Sequence, residues 1–282
     1  MKFLSNAHTH TTYCDGASTV EEQLSAARRL GFVSLGFSGH AMQGFDWHYC
    51  MSEEGQREYR ARLRALQLKH ARLELTPKLY VGLEQDALVP PEEKERNRAD
   101  FDYIITSTHY FPEPLDGAWV AVDGPPDLLK RCVAEHFGGD AYAMAQAYYA
   151  LHGAAVEADR PDIIGHFDLV RKYADRLGLD TGLPEYRAAA LAALAQAHNG
   201  CKVLEVNTGG IARGYEKEPY PAAFLLDTWL DMGGDVTLTS DCHDARWLDC
   251  AFDGALALLR ARGYRRVLRL STGGGLWDEM KL

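Results

Sequence analysis

The sequence predicts an α/β protein in which parallel strands alternate with helices and curl into a barrel. Two observations favour this fold. Short apolar runs rich in Val, Ile, Leu and Phe recur along the chain, and helical segments with their own start and stop signals separate them. A length of 282 residues suits seven or eight such units, and we expect residues 1–282 to form one domain. Because such units cross over with one hand, the sheet should be parallel and closed or nearly closed.

Four strands are predicted in the first half of the chain. Residues 18–21, Ser-Thr-Val-Glu, have the spacing of a capping box, which begins an amphipathic helix that Gly31 ends. A long helix rich in Arg, Glu and Leu covers about 52–73, and a short charged helix begins at Pro90. The predicted strands of this half are residues 3–4, 32–37, 78–83 and 101–106.

The second half begins with a loop and then continues the alternation. Residues 111–126 contain four prolines and two glycines, so they should form a loop that is long enough to cover an active site. Helices are expected near 127–136, 140–159, 184–198, 221–232 and 249–262. The predicted strands of this half are 162–165, 203–206, 236–239 and 267–270.

Composition and charge exclude several functions. The chain carries 40 acidic and 30 basic residues, a net charge of -10, which argues against nucleic acid as a partner because phosphate backbones need basic surfaces. It contains no run of about 18 apolar residues that could cross a membrane. The N-terminus lacks a signal-peptide pattern and the six cysteines form no Cys-x-x-Cys pair, so we expect a cytoplasmic protein with reduced thiols.

Side chains of metal-ligand type gather where the predicted strands end. His8 and His10 alternate on extended backbone and therefore point to the same side. The carboxyl ends of parallel strands meet at one mouth of a barrel, where barrel enzymes carry their chemistry. A satisfied histidine in a polar core is the alternative for any one of them, but gathering so many titratable groups without an ion would be costly. The set consists of His8, His10, Asp15, His40, Glu84, His109, His166, Asp241 and His243.

The chemistry of this set favours several divalent ions. Imidazole and carboxylate ligands without thiolate suit zinc, manganese or iron. Nine ligands are too many for one ion but fit two or three, and Glu84 could bridge two ions because a carboxylate has two oxygens. Clustered dications depress the pKa of the water that they bind, which favours hydrolysis of a phosphate ester.

Short motifs carry these side chains in a defined order. They are His8-Thr-His10 with Asp15, Gly39-His40, Gly82-Leu-Glu84, Ser107-Thr-His109, Gly165-His166 and Ser240-Asp241-Cys-His243. The ordered set resembles the PHP (polymerase and histidinol phosphatase) superfamily over nearly the whole chain. Further segments are similar to the histidinol-phosphate phosphatase branch, namely 44–47, 107–111, 166–173, 205–210 and 218–221.

The resemblance implies a distorted seven-stranded, TIM-like (βα) barrel with three divalent metals at the C-terminal mouth of the strands. The ions would be zinc, manganese or iron. The implied ligand sets are His8, His10, Glu84 and Asp241 for one ion, Asp15, His40 and His243 for a second, and Glu84, His109 and His166 for a third. Many members have histidine where this chain has Asp15, which changes the charge of the second site.

The activity that the resemblance implies is hydrolysis of L-histidinol phosphate to L-histidinol and inorganic phosphate. Glu84, Asp241 and His243 would be its catalytic residues. The leaving alkoxide would take a proton from Asp241, from His243 or from a metal-bound water, and the sequence leaves this choice open. Two other functions also stay open: a PHP phosphoesterase for another small phosphate ester or nucleotide, and a non-catalytic metal-binding protein. The complete ligand set argues against the second.

Substrate contacts are expected in the loops at the barrel mouth. Arg171 and Arg213 follow the fifth and sixth strands, and a guanidinium offers two donors to a phosphate, so we expect both to clamp the substrate phosphate. The alternative for each is an arginine paired with a nearby carboxylate, such as Asp168 or Glu216. The substrate's amine and imidazole could face acidic and aromatic loop residues, although a solvated loop is the alternative; these residues are Asp46, Trp47 and Glu113.

Overall fold

The structure is a computed structural model that describes residues 2–45, 47–113 and 115–282. Within these ranges nine strands form one sheet, and their order in the sheet is their order in the chain. Neighbouring strands are parallel from β1 to β8, and β9 is antiparallel to β8. The strands are β1 (Ser5–Asn6), β2 (Ser34–Phe37), β3 (Lys78–Asp86), β4 (Tyr103–Ser107), β5 (Ile163–Ile164), β6 (Val203–Asn207), β7 (Asp235–Thr239), β8 (Arg266–Leu270) and β9 (Trp277–Lys281).

Helices connect the strands, as the alternation of the sequence predicts. In the described part of the chain, no helix is both long and apolar enough to cross a membrane. The helices are α1 (Val20–Leu30), α2 (Glu53–Arg72), α3 (Pro91–Asp100), α4 (Pro126–His136), α5 (Ala141–Asp159), α6 (Ala174–Leu177), α7 (Pro184–Gly200), α8 (Gly209–Ala212), α9 (Ala223–Asp231) and α10 (Phe252–Ala261).

The number of strands differs from the prediction of a seven-stranded barrel, which was wrong in this respect. The last apolar run of the sequence, 267–270, lies within β8 and extends the parallel sheet. β9 was not predicted because charged side chains occupy three of its five positions. It is held by antiparallel pairing with β8, which no local sequence pattern predicts. The architecture is therefore a curled, mostly parallel sheet, consistent with a TIM-like barrel.

The sheet curls until the segments that follow β1 and β7 lie side by side. Thr9 forms a parallel bridge with Cys242. The Cys242 N–H donates to the His8 carbonyl at 3.0 Å, and the His10 N–H donates to the Cys242 carbonyl at 2.9 Å. This pairing brings the two histidines of the first motif next to the last motif of the chain, residues 240–243, although more than two hundred residues separate them.

One tyrosine crosses the interior below this mouth. Tyr103 on β4 is buried, and its hydroxyl donates to the Ala7 carbonyl at 2.5 Å. Gly82 on β3 leaves room for the ring, because a Cβ there would come within 2.2 Å of it. The strand ends that carry the candidate ligands therefore stand above a packed core.

The start of α1 also ties the first loop to the mouth. The predicted capping box is displaced by one residue: the Glu22 N–H donates to the Thr19 hydroxyl oxygen at 3.2 Å, and the Thr19 N–H donates to the Glu22 carboxylate at 2.8 Å. Ser18, the predicted cap, instead accepts the Ala245 N–H at 3.0 Å. The loop that contains Asp15 is thereby fixed against the turn after His243.

Candidate metal centre

The side chains predicted as metal ligands come together at the mouth. Three overlapping groups have potential ligand atoms within 4.8 Å of one another: His10, Asp15, His40 and His243; His8, His10 and Glu84; and His40, Glu84 and His109. The remaining two join them, since His166 Nε2 lies 3.1 Å from Glu84 Oε1 and Asp241 Oδ1 lies 3.1 Å from His10 Nε2. A cavity of about 270 Å³ opens onto this cluster.

Glu84 stands at the centre, and its two carboxylate oxygens face different histidines. Oε2 has three imidazole neighbours, at 3.1 Å from His8, 3.0 Å from His40 and 3.5 Å from His10. Oε1 has two, at 3.1 Å from His166 and 3.4 Å from His109, and it accepts the Ser107 hydroxyl at 2.6 Å. A carboxylate in this position can bridge two cations.

Asp241 occupies a backbone conformation that side chains rarely adopt. Its φ is 46°, in the left-handed region, which is unfavourable for a residue other than glycine. Arg213 holds it there by donating to the backbone carbonyl at 3.1 Å and to Oδ2 at 2.8 Å. The other oxygen, Oδ1, is thereby directed at His10 and lies 3.6 Å from His8.

Asp15 completes the side of the cluster that is nearer to solvent. Its Oδ2 lies 3.2 Å from His243 Nε2, and its Oδ1 lies 3.7 Å from ring nitrogens of both His10 and His40. Burial raises the pKa of the Asp15 carboxyl, but His40 and His243 outweigh burial and lower it, so the group stays ionised.

Several buried polar atoms of the cluster lack the hydrogen bonds that such atoms normally make. Among the described residues, His8 Nε2, His10 Nε2 and Glu84 Oε2 have no hydrogen-bond partner, although the Glu84 oxygen lies 3.1 Å from the His8 nitrogen and 3.5 Å from the His10 nitrogen. Unsatisfied buried polar atoms are costly, and a cation between them would remove that cost. The donor set of imidazole and carboxylate, together with these converging atoms, fits divalent ions such as zinc.

The carboxylates of the cluster are ionised despite their burial. For Glu84, burial raises the pKa, but His8, His40 and His109 hold it well below its usual value. For Asp241, burial also raises the pKa, but Arg213 and the neighbouring histidines outweigh burial, so the pKa is well below its usual value. Both residues therefore offer negative charge to a cation.

The pKa values of the two histidines of the first motif are shifted in opposite directions. Burial, together with His243 and His40, lowers the pKa of His10 to about 3, so its ring is neutral, as a metal ligand must be. Burial lowers the pKa of His8 as well, but Glu205 and Glu84 outweigh it and raise the pKa. A cation that binds His8 would take the place of that proton.

Two buried acids that were not predicted as site residues contact the histidines on the side away from the cavity. Glu205 on β6 lies 2.8 Å from His8 Nδ1 and also accepts the backbone N–H of His166. Asp86 at the end of β3 accepts the His109 N–H at 2.6 Å and lies 3.3 Å from His109 Nδ1. Such carboxylates fix the tautomer and orientation of metal-binding histidines. Their sequence signal is a carboxylate inside or at the end of a buried strand.

The two arginines predicted to bind phosphate lie in different surroundings. Arg213 lines the cavity and contacts Asp241, as described above. The guanidinium of Arg171 is directed at Asp168 at 2.9 Å, at Glu216 at 2.8 Å and at the Pro219 carbonyl at 2.9 Å. It also stacks on Tyr220, 4.4 Å from the ring centroid. Arg171 therefore makes the alternative ion pairs with Asp168 and Glu216, and its role as a phosphate ligand stays a prediction.

Of the residues suggested for the amine and imidazole, the two that the structure describes do not line the cavity. Asp46 lies outside the described residues. Trp47 is 60% exposed, and Glu113 lies 3.6 Å from His136 with most of its side chain in solvent. The cavity is lined instead by other side chains near the cluster, which include His48, Tyr49, Tyr110, Asp123 and Tyr220.

Curated relatives share most of the length of this chain. A probable histidinol-phosphatase from Deinococcus radiodurans is 32% identical over 274 residues, which cover 95% of this chain and 96% of that protein. A probable histidinol-phosphatase from Schizosaccharomyces pombe is 23% identical over 204 residues, which cover 69% of this chain and 63% of that protein.

Two solved structures have a similar fold. A candidate histidinol phosphatase from Listeria monocytogenes has a TM-score of 0.75 at 20% identity, over 88% of this chain and 98% of that one. The histidinol phosphate phosphatase of Lactococcus lactis, complexed with Zn, L-histidinol and phosphate, has a TM-score of 0.70 at 20% identity, over 95% of this chain and 96% of that one. At this level of identity the likeness concerns the fold.

The family follows from the extent of these matches. The family model described as PHP domain matches residues 6–209, which include seven of the nine side chains of the cluster. The remaining two, Asp241 and His243, lie in the part of the chain that the Deinococcus relative covers at 32% identity. The chain belongs to the PHP domain family.

Proposed function

We propose that this chain is a metal-dependent phosphomonoesterase that hydrolyses L-histidinol phosphate to L-histidinol and inorganic phosphate. The observation that carries the proposal is the central position of Glu84, whose two oxygens face separate sets of histidines, and members of both sets line an accessible cavity. The relative named histidinol-phosphatase, which is 32% identical over 95% of the chain, supports the choice of substrate.

The proposed cofactor is a cluster of three divalent ions. The first would be held by His8, His10, Glu84 and Asp241, the second by Asp15, His40 and His243, and the third by Glu84, His109 and His166. The three groups of converging side chains support this division, with His10 and His40 each close enough to serve a second group. Zinc accompanies the Lactococcus structure, and manganese or iron would suit the same donors.

Different residues of the chain have different roles in the proposed reaction. Bound ions supply positive charge to the phosphate and lower the pKa of water. Arg213, at the cavity beside Asp241, binds a phosphate oxygen with its guanidinium. Glu84 keeps the five surrounding imidazoles in position. The leaving alkoxide takes its proton from His243 or from a metal-bound water, because the Asp241 carboxyl, whose pKa is held low, is already ionised.

The proposed substrate should be distinguishable from simple phosphates in a steady-state assay. We expect a higher kcat/KM for histidinol phosphate than for glycerol phosphate, a nucleoside monophosphate or 4-nitrophenyl phosphate, because the cavity offers aromatic and acidic side chains beyond the phosphate site. Equal turnover of a bare alkyl phosphate would contradict the choice of substrate. If the wild-type protein hydrolyses none of these esters, the result would favour a non-catalytic metal-binding protein instead.

The proposed cofactor predicts a metal content above one ion per chain. Protein purified without a chelator should contain at least two equivalents of zinc, manganese or iron by elemental analysis, because nine ligand-type side chains converge at the mouth. Removal of the metal by dialysis against a chelator should abolish phosphatase activity, and adding it back should restore activity. Full activity with one equivalent or less would exclude a cluster.

The proposed phosphate contact predicts a moderate loss of activity for Arg213→Ala. We expect kcat/KM to fall by an amount that corresponds to a loss of roughly 1.5–3 kcal/mol in transition-state binding, the range for hydrogen bonds to charged groups. Arg213→Lys should recover only part of the loss, because lysine lacks the two-pronged geometry. Metal content separates two explanations: an unchanged content supports a phosphate contact, whereas lost metal would show that Arg213 acts by holding Asp241.

A further inference from the structure

The cavity contains one acidic side chain that the proposed reaction does not use. Among the described residues that line it, the carboxylates are Asp15, Asp123 and Asp241. Asp15 and Asp241 belong to the cluster of candidate ligands. Asp123 does not, and its side chain is 37% exposed, so a molecule in the cavity can reach it.

The backbone places Asp123 beside the metal cluster. The segment before it folds back along the end of β4, where the Phe111 N–H donates to the Val120 carbonyl at 3.2 Å and the Val122 N–H donates to the His109 carbonyl at 2.7 Å. Asp123 therefore follows directly on a residue that is hydrogen-bonded to a candidate metal ligand. This pairing gives the loop of residues 111–126 a fixed edge at the cavity.

A lysine from the short 3-10 helix that follows β5 orients the Asp123 carboxylate. Lys172 donates to the Asp123 carbonyl and to Oδ2, both at 3.1 Å, and its own side chain is largely buried. It also lies over the Tyr215 ring, 4.4 Å from the centroid. Oδ1 of Asp123 makes no hydrogen bond to a residue that the structure describes. The pair thus leaves one carboxylate oxygen available to a ligand.

The charge and shape of the surrounding wall suit a cationic, flat group. Burial raises the pKa of the Asp123 carboxyl, but Lys172 and His109 outweigh it, and the group stays ionised. Tyr49 and Tyr110, which line the same cavity, stack with their rings 5.7 Å apart and 24° from parallel. An aromatic wall next to a carboxylate matches an imidazole that is tethered to an ammonium group.

We propose that Asp123 binds the ammonium group of the substrate and makes the enzyme selective for phosphate esters of amino alcohols. This inference rests on the proposed function. In L-histidinol phosphate the ammonium is attached to the carbon next to the ester methylene, so a phosphate bound at the metal cluster carries its amine only a short way along the cavity wall. Lys172 keeps Asp123 in place and leaves Oδ1 free to accept the ammonium N–H.

The test compares two substrates that differ only by the amine. L-Histidinol phosphate and its des-amino analogue, 3-(imidazol-4-yl)propyl phosphate, are assayed with the wild type and with Asp123→Asn. We expect the substitution to lower kcat/KM for histidinol phosphate by about 10- to 100-fold, the range for a hydrogen bond between charged groups, chiefly through KM. The des-amino ester should be hydrolysed equally by both proteins, and metal content should not change.

Asp116→Asn is the matched control. Asp116 lies in the same loop, is paired with Arg131 and has 74% of its side chain exposed, so both substrates should behave as with the wild type. An equal loss for both esters in Asp123→Asn would overturn the inference, since Asp123 would then only hold the loop. So would a wild type that hydrolyses both esters equally well, a result that does not depend on the folding of any variant. If the wild type hydrolyses neither ester, the proposed function itself fails.

Discussion

Replacing Glu84 with alanine should remove bound metal and reduce kcat/KM by more than any other single substitution in the cluster. Its two oxygens face five imidazoles on two sides, so its loss would open two ion sites at once. Replacing a residue that hydrogen-bonds to a metal ligand typically lowers metal affinity or activity by about 10- to 100-fold. The loss of a bridging ligand should exceed this range. Elemental analysis of the purified variant, together with steady-state kinetics, measures both effects.

Two further variants separate loss of the bridge from loss of the fold. Glu84→Gln keeps the size of the side chain and one oxygen but removes the charge, so we expect it to retain more metal than alanine and still less than the wild type. Glu54→Ala removes an exposed carboxylate at the start of α2 and should change neither quantity. A Glu84→Ala protein with the metal content and kcat/KM of the wild type would contradict the bridging role.

The positions of the candidate ligands could be predicted from the sequence because they depend on topology more than on loop detail. The carboxyl ends of parallel strands must share one mouth, so a polar residue directly after each apolar run has a defined place. β5 has only the two residues Ile163–Ile164, yet His166 still lies 3.1 Å from Glu84. The side chains come together as expected, and their roles as ligands stay predictions.

Long-range pairing explains what the sequence could not predict. β9 carries mostly charged side chains and exists because β8 offers an edge. The bridge between Thr9 and Cys242 joins segments that no local pattern connects. The choice between Arg171 and Arg213 at the cavity depends on where Asp168 and Glu216 lie, and Arg171 directs its donors at these two acids.

The role of Glu205 could not be predicted from local sequence either, because it depends on His8, which lies 197 residues away in the chain. The carboxylate accepts hydrogen bonds from four donors. Oε2 is 2.8 Å from both His8 Nδ1 and the Thr239 hydroxyl, and Oε1 accepts from the His166 N–H and, at 2.9 Å, from Asn207. An ionised carboxylate has acceptors only, so it satisfies all four donors. It also keeps the His8 proton on Nδ1, which leaves Nε2 free for a cation.

Glu205→Gln should therefore weaken metal binding although Glu205 touches no predicted ion site. The amide would direct its NH₂ group at donors on one side, so that either His8 must move its proton to Nε2 or a buried donor is left unpaired. We expect metal affinity, measured by competition with a chromogenic chelator, to fall by about 10- to 100-fold. The matched control is Glu157→Gln, which changes a half-buried carboxylate far from the cluster in the fold's helical layer that accepts from Gln196 and Asn199, and this variant should bind metal like the wild type. If Glu205→Gln competes with the chelator as well as the wild type does, the His8 tautomer is not set by Glu205.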